Sequence, residues 1–75
     1  MNKIKRSRLH QAIASIEQAK VIVEDVRDEE DQCFENLSEG LKASQRGSDM
    51  EDAVEQLNEA VEYLGQIIAM IQDVI

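Results

Sequence analysis

The sequence contains no proline, no tryptophan and a single cysteine, Cys33. A lone cysteine excludes an internal disulfide. With only one histidine, His10, and no CxxC pair, the usual Cys/His metal frameworks are excluded as well. Glycine is limited to three positions and aromatic residues to Phe34 and Tyr63. Without proline, nothing in the chain forbids continuous helix. No window approaches the ~18 consecutive apolar residues of a membrane span. The start, Met1 to Arg8, is basic, but no apolar signal-peptide core follows it, so a cytoplasmic protein is expected.

What is present is helix-forming: Ala, Glu, Gln, Leu and Ile dominate. Seventy-five residues allow one domain, and a chain of that length buries too little surface to be robust alone. Small domains compensate with disulfides, metals or oligomerisation. Composition removes the first two, so self-association is expected.

The net charge of −8 is unevenly placed. Up to Lys20 the chain carries Lys3, Lys5, Arg6, Arg8 and Lys20 against Glu17 alone; beyond it, fifteen acids stand against Arg27, Lys42 and Arg46. Most of the surface repels a phosphate backbone, so direct nucleic-acid binding is not expected. The plain reading of the basic start is a solubilising terminus.

Apolar residues from Ser48 onward repeat at alternating steps of three and four: Met50, Ala53, Leu57, Ala60, Leu64, Ile67, Ile71 and Val74, with Val54, Val61, Ile68 and Ile75 as a second row beside them. Together they fill three positions in seven, a stripe wider than a two-stranded seam. Leu9, Ala12, Ile16, Ala19, Val23, Val26, Glu30, Cys33 and Leu37 form a similar row in the first half, flanked by Ile13, Ile22 and Phe34. The predicted helices are about 4–36 and 48–75. Asn36, Ser38 and Gly40 weaken the pattern between them, and Gln45-Arg46-Gly47 reads as the main turn. Ser48 and Glu51 have the spacing of a capping box.

The expected fold is therefore all-α, an antiparallel two-helix hairpin of one domain, with a short helical turn near Leu41 and Ala43 inside the 37–47 connection between the two long helices. Its core and oligomer seam comprises Leu9, Ile13, Ile16, Val23, Val26, Leu37, Met50, Val54, Leu57, Val61, Leu64, Ile67, Ile68, Ile71 and Val74. A hairpin alone cannot cover both sides of such a stripe; a homo-oligomer, most simply a dimeric four-helix bundle, can.

Arg27-Asp28-Glu29-Glu30, Phe34 to Leu41 (FENLSEGL) and Ser44-Gln45-Arg46-Gly47 resemble a family of short acidic helical proteins common in bacteriophage and prophage genomes. That pattern is an acidic helix, then N-[LMI]-P-E-x-L-Q-x-S-x-[RK]-[AG], then a second acidic helix. Ser38 stands where the pattern has Pro and Lys42 where it has Gln. The resemblance implies a phage-type accessory protein acting in the host cytoplasm, and it carries no transferable activity.

Among candidate functional residues, Asp28, Glu29, Asp31, Glu35, Glu55, Glu59 and Glu62 form an acidic surface that suits a basic host-protein surface, including a nucleic-acid-binding groove by mimicry of DNA. The expected function is non-enzymatic binding, with inhibition, of a host protein. Three alternatives follow from other residues. Lys5, Arg6, Arg8 and His10 from several copies, if convergent, would form a sponge for an anionic nucleotide. Glu24 with Asp28, and Glu59 with Glu62, vaguely resemble the Mg²⁺ sites of all-α nucleotide pyrophosphatases, although the spacing also describes a solvated face. A structural role in particle assembly is the third. No cofactor is expected. Glu30 and Cys33, on the expected seam, read as a snorkelling carboxylate and a buried inert thiol. His10 reads as a surface residue and Tyr63 as the edge of an interface.

Overall fold

The structure, a computed structural model describing residues 1–75, contains α1 (Lys3–Glu35), a single-turn α2 (Glu39–Lys42) and α3 (Gln45–Gln72), with no strand. Asn2 starts the first helix: its side-chain oxygen accepts the Lys5 N–H at 2.8 Å, satisfying one of the otherwise unpaired amides of the first turn. The 33 residues of α1 run to Glu35 unbroken, as the proline-free sequence permits. Ser38 caps α2, its hydroxyl oxygen accepting the Leu41 N–H at 3.4 Å.

The chain reverses across Asn36 to Ser44, and α1 and α3 pack antiparallel as an all-α hairpin 58 Å long and 15 by 12 Å across. Its radius of gyration is 17.2 Å, whereas a compact domain of this length has about 11 Å. The rod shape follows from the topology: two long helices and one short connection leave no third layer. None of the helices is long and apolar enough to cross a membrane.

The second long helix starts earlier than the capping-box signal implies. Gln45 opens α3, Ser48 is already helical and its N–H reaches the Ser44 carbonyl at 3.0 Å. Ser44 is the cap residue, yet its hydroxyl donates back to the Leu41 carbonyl instead of capping α3. Gln45 and Asp49 are joined by a side-chain hydrogen bond of 2.7 Å one turn apart, which holds the first turn. Gly47, read from sequence as a turn residue, lies inside the helix and is buried. No residue of the chain has positive φ, so the reversal needs no left-handed glycine.

Gly65 gives a direct test of helix energetics. It sits in the interior of α3, and a Cβ there would meet only the Lys20 ammonium at 3.9 Å, an ordinary contact with a mobile group. Gly65→Ala is expected to stabilise the hairpin by about 1 kcal/mol. In a thermal melt that corresponds to a rise in Tm of about 4–8 °C. An unchanged or lower Tm would show that the two helices approach more closely at this point.

Candidate functional site

Burial defines which row of each helix faces the other. Along α1 the less exposed positions include Leu9, Ile13, Ile16, Lys20, Val23, Arg27, Glu30, Phe34 and, beyond its end, Leu37, with Ala12 and Glu24 also half-buried. Along α3 they include Met50, Val54, Leu57, Val61, Leu64, Ile68 and Ile71, ending with Ile75. Both series advance by alternating steps of four and three, as the facing rows of an antiparallel pair do. Ile13 at 7 % and Ile68 at 8 % exposure are the two buried apolar side chains.

This arrangement corrects part of the expected rows. The columns Leu9–Ile16–Val23–Leu37 and Met50–Leu57–Leu64–Ile71 are half-buried. The companion column of α1 is Ile13–Lys20–Arg27–Phe34, with Ala12 half-buried beside it and Ala19, Val26 and Cys33 exposed. That of α3 is the second row, Val54–Val61–Ile68–Ile75, with Ala53 and Ala60 half-buried beside it and Ile67 and Val74 exposed. Val26 (47 %), Ile67 (42 %) and Val74 (56 %) are consequently exposed, and Cys33 carries an exposed thiol, not a buried one. The physical reason is side-chain size. Ile13 and Phe34 are worth more in the seam than Ala12 and Cys33, and the aliphatic stems of Lys20 and Arg27 cover apolar surface while their charged heads leave it. Lys20 and Arg27 were missed as seam residues because a hydrophobic pattern counts them as polar. Weighting each row by side-chain volume would have found them.

Lys20 beside Gly65, and Glu17, Lys20, Val21 and Glu24 sharing one hollow with Gly65 and Ile68, fix the register between helices. Within about a residue, Ile22 is then level with Tyr63, Ala19 with Ile67, Val26 with Ala60 and His10 with Ile75. The same hollow fixes handedness: Glu17 and Glu24 share a side of the hairpin with Gly65. By the heptad repeat, Asp28, Asp31, Glu35, Glu51, Glu55 and Glu62 project from that side too. The opposite side carries Ala19, Ile22, Val26 and Cys33 of α1 with Ala60, Tyr63, Ile67, Met70 and Val74 of α3. The hairpin thus has an acidic flank and an apolar flank.

Of the seven acids singled out from sequence, Asp28, Asp31, Glu35, Glu55 and Glu62 come together on the acidic flank. Glu29 projects from the apolar side and Glu59 from the outer back of α3; all seven are exposed. Glu17, Glu24 and Glu51 join the flank, and sequence reasoning missed them because membership depends on helix phase. Two cations are paired with it, Arg27 with Asp28 at 3.0 Å and Lys42 with Glu35, and Lys20 lies at its inner margin. Near the loop, Lys42 lies 3.7 Å from Glu35 and 5.6 Å from the centre of the Phe34 ring, tying α2 to the end of α1.

The basic start does not gather into one cluster. Lys5 and Arg8 border a hollow with Met1, Leu9 and Ala12 on the apolar side, while the helical repeat turns Arg6 toward the seam and His10 toward the acidic flank. Because Ile75 is level with His10, residues 3–8 extend past the end of α3 with no ion pair to it. Tyr63 is exposed on the apolar flank. No three His, Cys, Asp or Glu side chains are grouped so as to hold a metal ion. Comparison with known proteins finds no matching family model, no matching curated protein and no matching solved structure.

Proposed function

We propose that this chain is a small non-enzymatic interaction protein of phage type that binds a basic surface of a host cytoplasmic protein through its acidic flank and inhibits it. The observation that carries the reading is the sorting of charge. Eight carboxylates, from Glu17 to Glu35 on α1 and Glu51 to Glu62 on α3, share one side of a rigid rod, while the other side is apolar. Random scattering of sixteen acids over a surface would not leave one flank so nearly free of them. A straight row of carboxylates on a 58 Å rod offers a basic groove the charge spacing of a nucleic-acid backbone without its bases. Occlusion of a nucleic-acid-binding surface is the mechanism this favours, and the resemblance of the Phe34–Gly47 region to phage accessory proteins supplies the host setting.

The test is a comparative pull-down. The wild-type protein and a variant with Asp31→Lys, Glu55→Lys and Glu62→Lys are immobilised and exposed to bacterial lysate, with mass spectrometry of the captured proteins. The expected result is a basic host protein retained by the wild type, released by nucleic acid or by raised salt, and captured at least tenfold less by the variant. Capture unchanged by the charge reversals would remove the acidic flank as the binding surface.

A further inference from the structure

The hairpin is under-covered. Two apolar side chains are buried, and the surface is 5605 Å², whereas a compact protein of this mass exposes about 4,700 Å². On the apolar flank Ile22, Val26, Tyr63, Ile67, Met70 and Val74 are exposed. No charged residue interrupts these six, and Arg8 and Glu29 stand on the same side at the two ends of the strip. From Arg8 to Glu29 the flank is about 33 Å long at 1.5 Å per residue, and it is two helices or about 20 Å wide. Covering it buries on the order of 650 Å² per partner, about 1,300 Å² in all, within the range of stable specific interfaces.

We infer that this flank is covered by a second copy of the chain, packed head to tail across a two-fold axis that passes beside Ala19 and Ile67, perpendicular to the rod. The charge distribution selects both the occupant and its direction. The six exposed apolar residues are centred on the level shared by Ala19 and Ile67, so a two-fold axis there superimposes strip on strip. The same axis lays the unpaired basic end of one copy, with Lys5 and Arg8, over the other end of its partner's strip, where Glu29 projects from the same side. The alternative two-fold axis, along the rod, also joins the strips. It sets basic end beside basic end and acidic loop beside acidic loop, adding like-charge repulsion at both ends. The head-to-tail pair makes every neighbouring helix antiparallel, completes a four-helix bundle and leaves the two acidic flanks facing outward. It also holds the two basic ends about 35 Å apart along the rod, which is incompatible with a convergent nucleotide-binding cluster.

Mass and cross-linking test this together on the full-length chain. Sedimentation equilibrium at micromolar concentration is expected to give twice the 8.5 kDa chain mass. Ile67→Glu, which places a charge in the covered strip, is expected to weaken association at least tenfold. Direction is read from disulfides formed under mild oxidation. Ala19→Cys in a Cys33→Ser background is expected to give a covalent dimer, because Ala19 meets its own copy at the axis. Ala12→Cys with Val26→Cys in the same background is expected to cross-link as well, because those two levels superimpose head to tail. In the copies joined along the rod neither pair meets. A monomer with full helicity, a larger assembly, or a dimer in which neither cysteine pair forms would each overturn the arrangement.

Discussion

Replacing Ile68 by Asp is expected to abolish the helical fold. Ile68 is one of two buried apolar side chains, 8 % exposed, and shares a hollow with Glu17, Lys20, Glu24 and Gly65. Truncating such a side chain to Ala costs ~2–5 kcal/mol. Asp adds the cost of removing a carboxylate from water, with Glu17 and Glu24 beside it as well as Lys20. A chain of this length has roughly 4–11 kcal/mol of stability in total, at about 0.05–0.15 kcal/mol per residue. The substitution alone therefore consumes most of it. Far-ultraviolet circular dichroism at micromolar protein should show loss of most helical signal. Leu64→Asp, one turn earlier in the same seam, should behave alike. Glu59→Ala, on the outer back of α3, should change stability by no more than about 0.5 kcal/mol. Equal melts for Ile68→Asp and Glu59→Ala would mean that the inter-helix row has been placed on the wrong face.

The hairpin itself was legible in the sequence, and for a simple reason. A repeat of alternating three and four specifies helix, and two such repeats with one short polar interruption specify antiparallel helices. Leu9, Ile16 and Val23, and Met50, Leu57 and Leu64, recur every seventh residue and are all half-buried in the hairpin. The rotation of each helix about its axis was less legible. With three apolar positions in seven, either neighbouring column can complete the seam. Ala12, Ala19 and Val26 look more hydrophobic than Ile13, Lys20 and Arg27 in a binary pattern, yet the second set fills more volume. That half-step of rotation decides which acids share a flank. Glu17, Glu24 and Glu51 therefore became visible as partners of Asp31, Glu55 and Glu62 only once the seam was fixed. Turning both helices by the same half-step also places the rejected apolar columns on one side, which no periodicity within a single helix reveals.

The connection was the other place where a local signal lost to packing. Ser48 and Glu51 have capping-box spacing, but α3 extends back to Gln45 because α2 folds down against its first turns, and that contact runs through Gly47. A Cβ on Gly47 would fall against the Lys42 carbonyl, 2.6 Å from its carbon and 2.7 Å from the Leu41 oxygen. Both are backbone atoms, so no rotamer change relieves the clash; α2 has to move as a unit. Gly47 is thus required for close approach and not for its conformational freedom, since its φ is not positive. Ordinary overpacking costs about 1–3 kcal/mol, and here helix propensity returns about 1 kcal/mol. Because the collision is with backbone on one side, the upper end of that range applies, and Gly47→Ala is expected to destabilise the hairpin by about 2 kcal/mol net. Gly40→Ala is the matched control: a Cβ there meets nothing within 4 Å, so the same methyl group should be neutral or slightly stabilising. Chemical denaturation of both variants measures the difference directly. A Gly47→Ala midpoint at or above that of Gly40→Ala would show that α2 does not rest on α3.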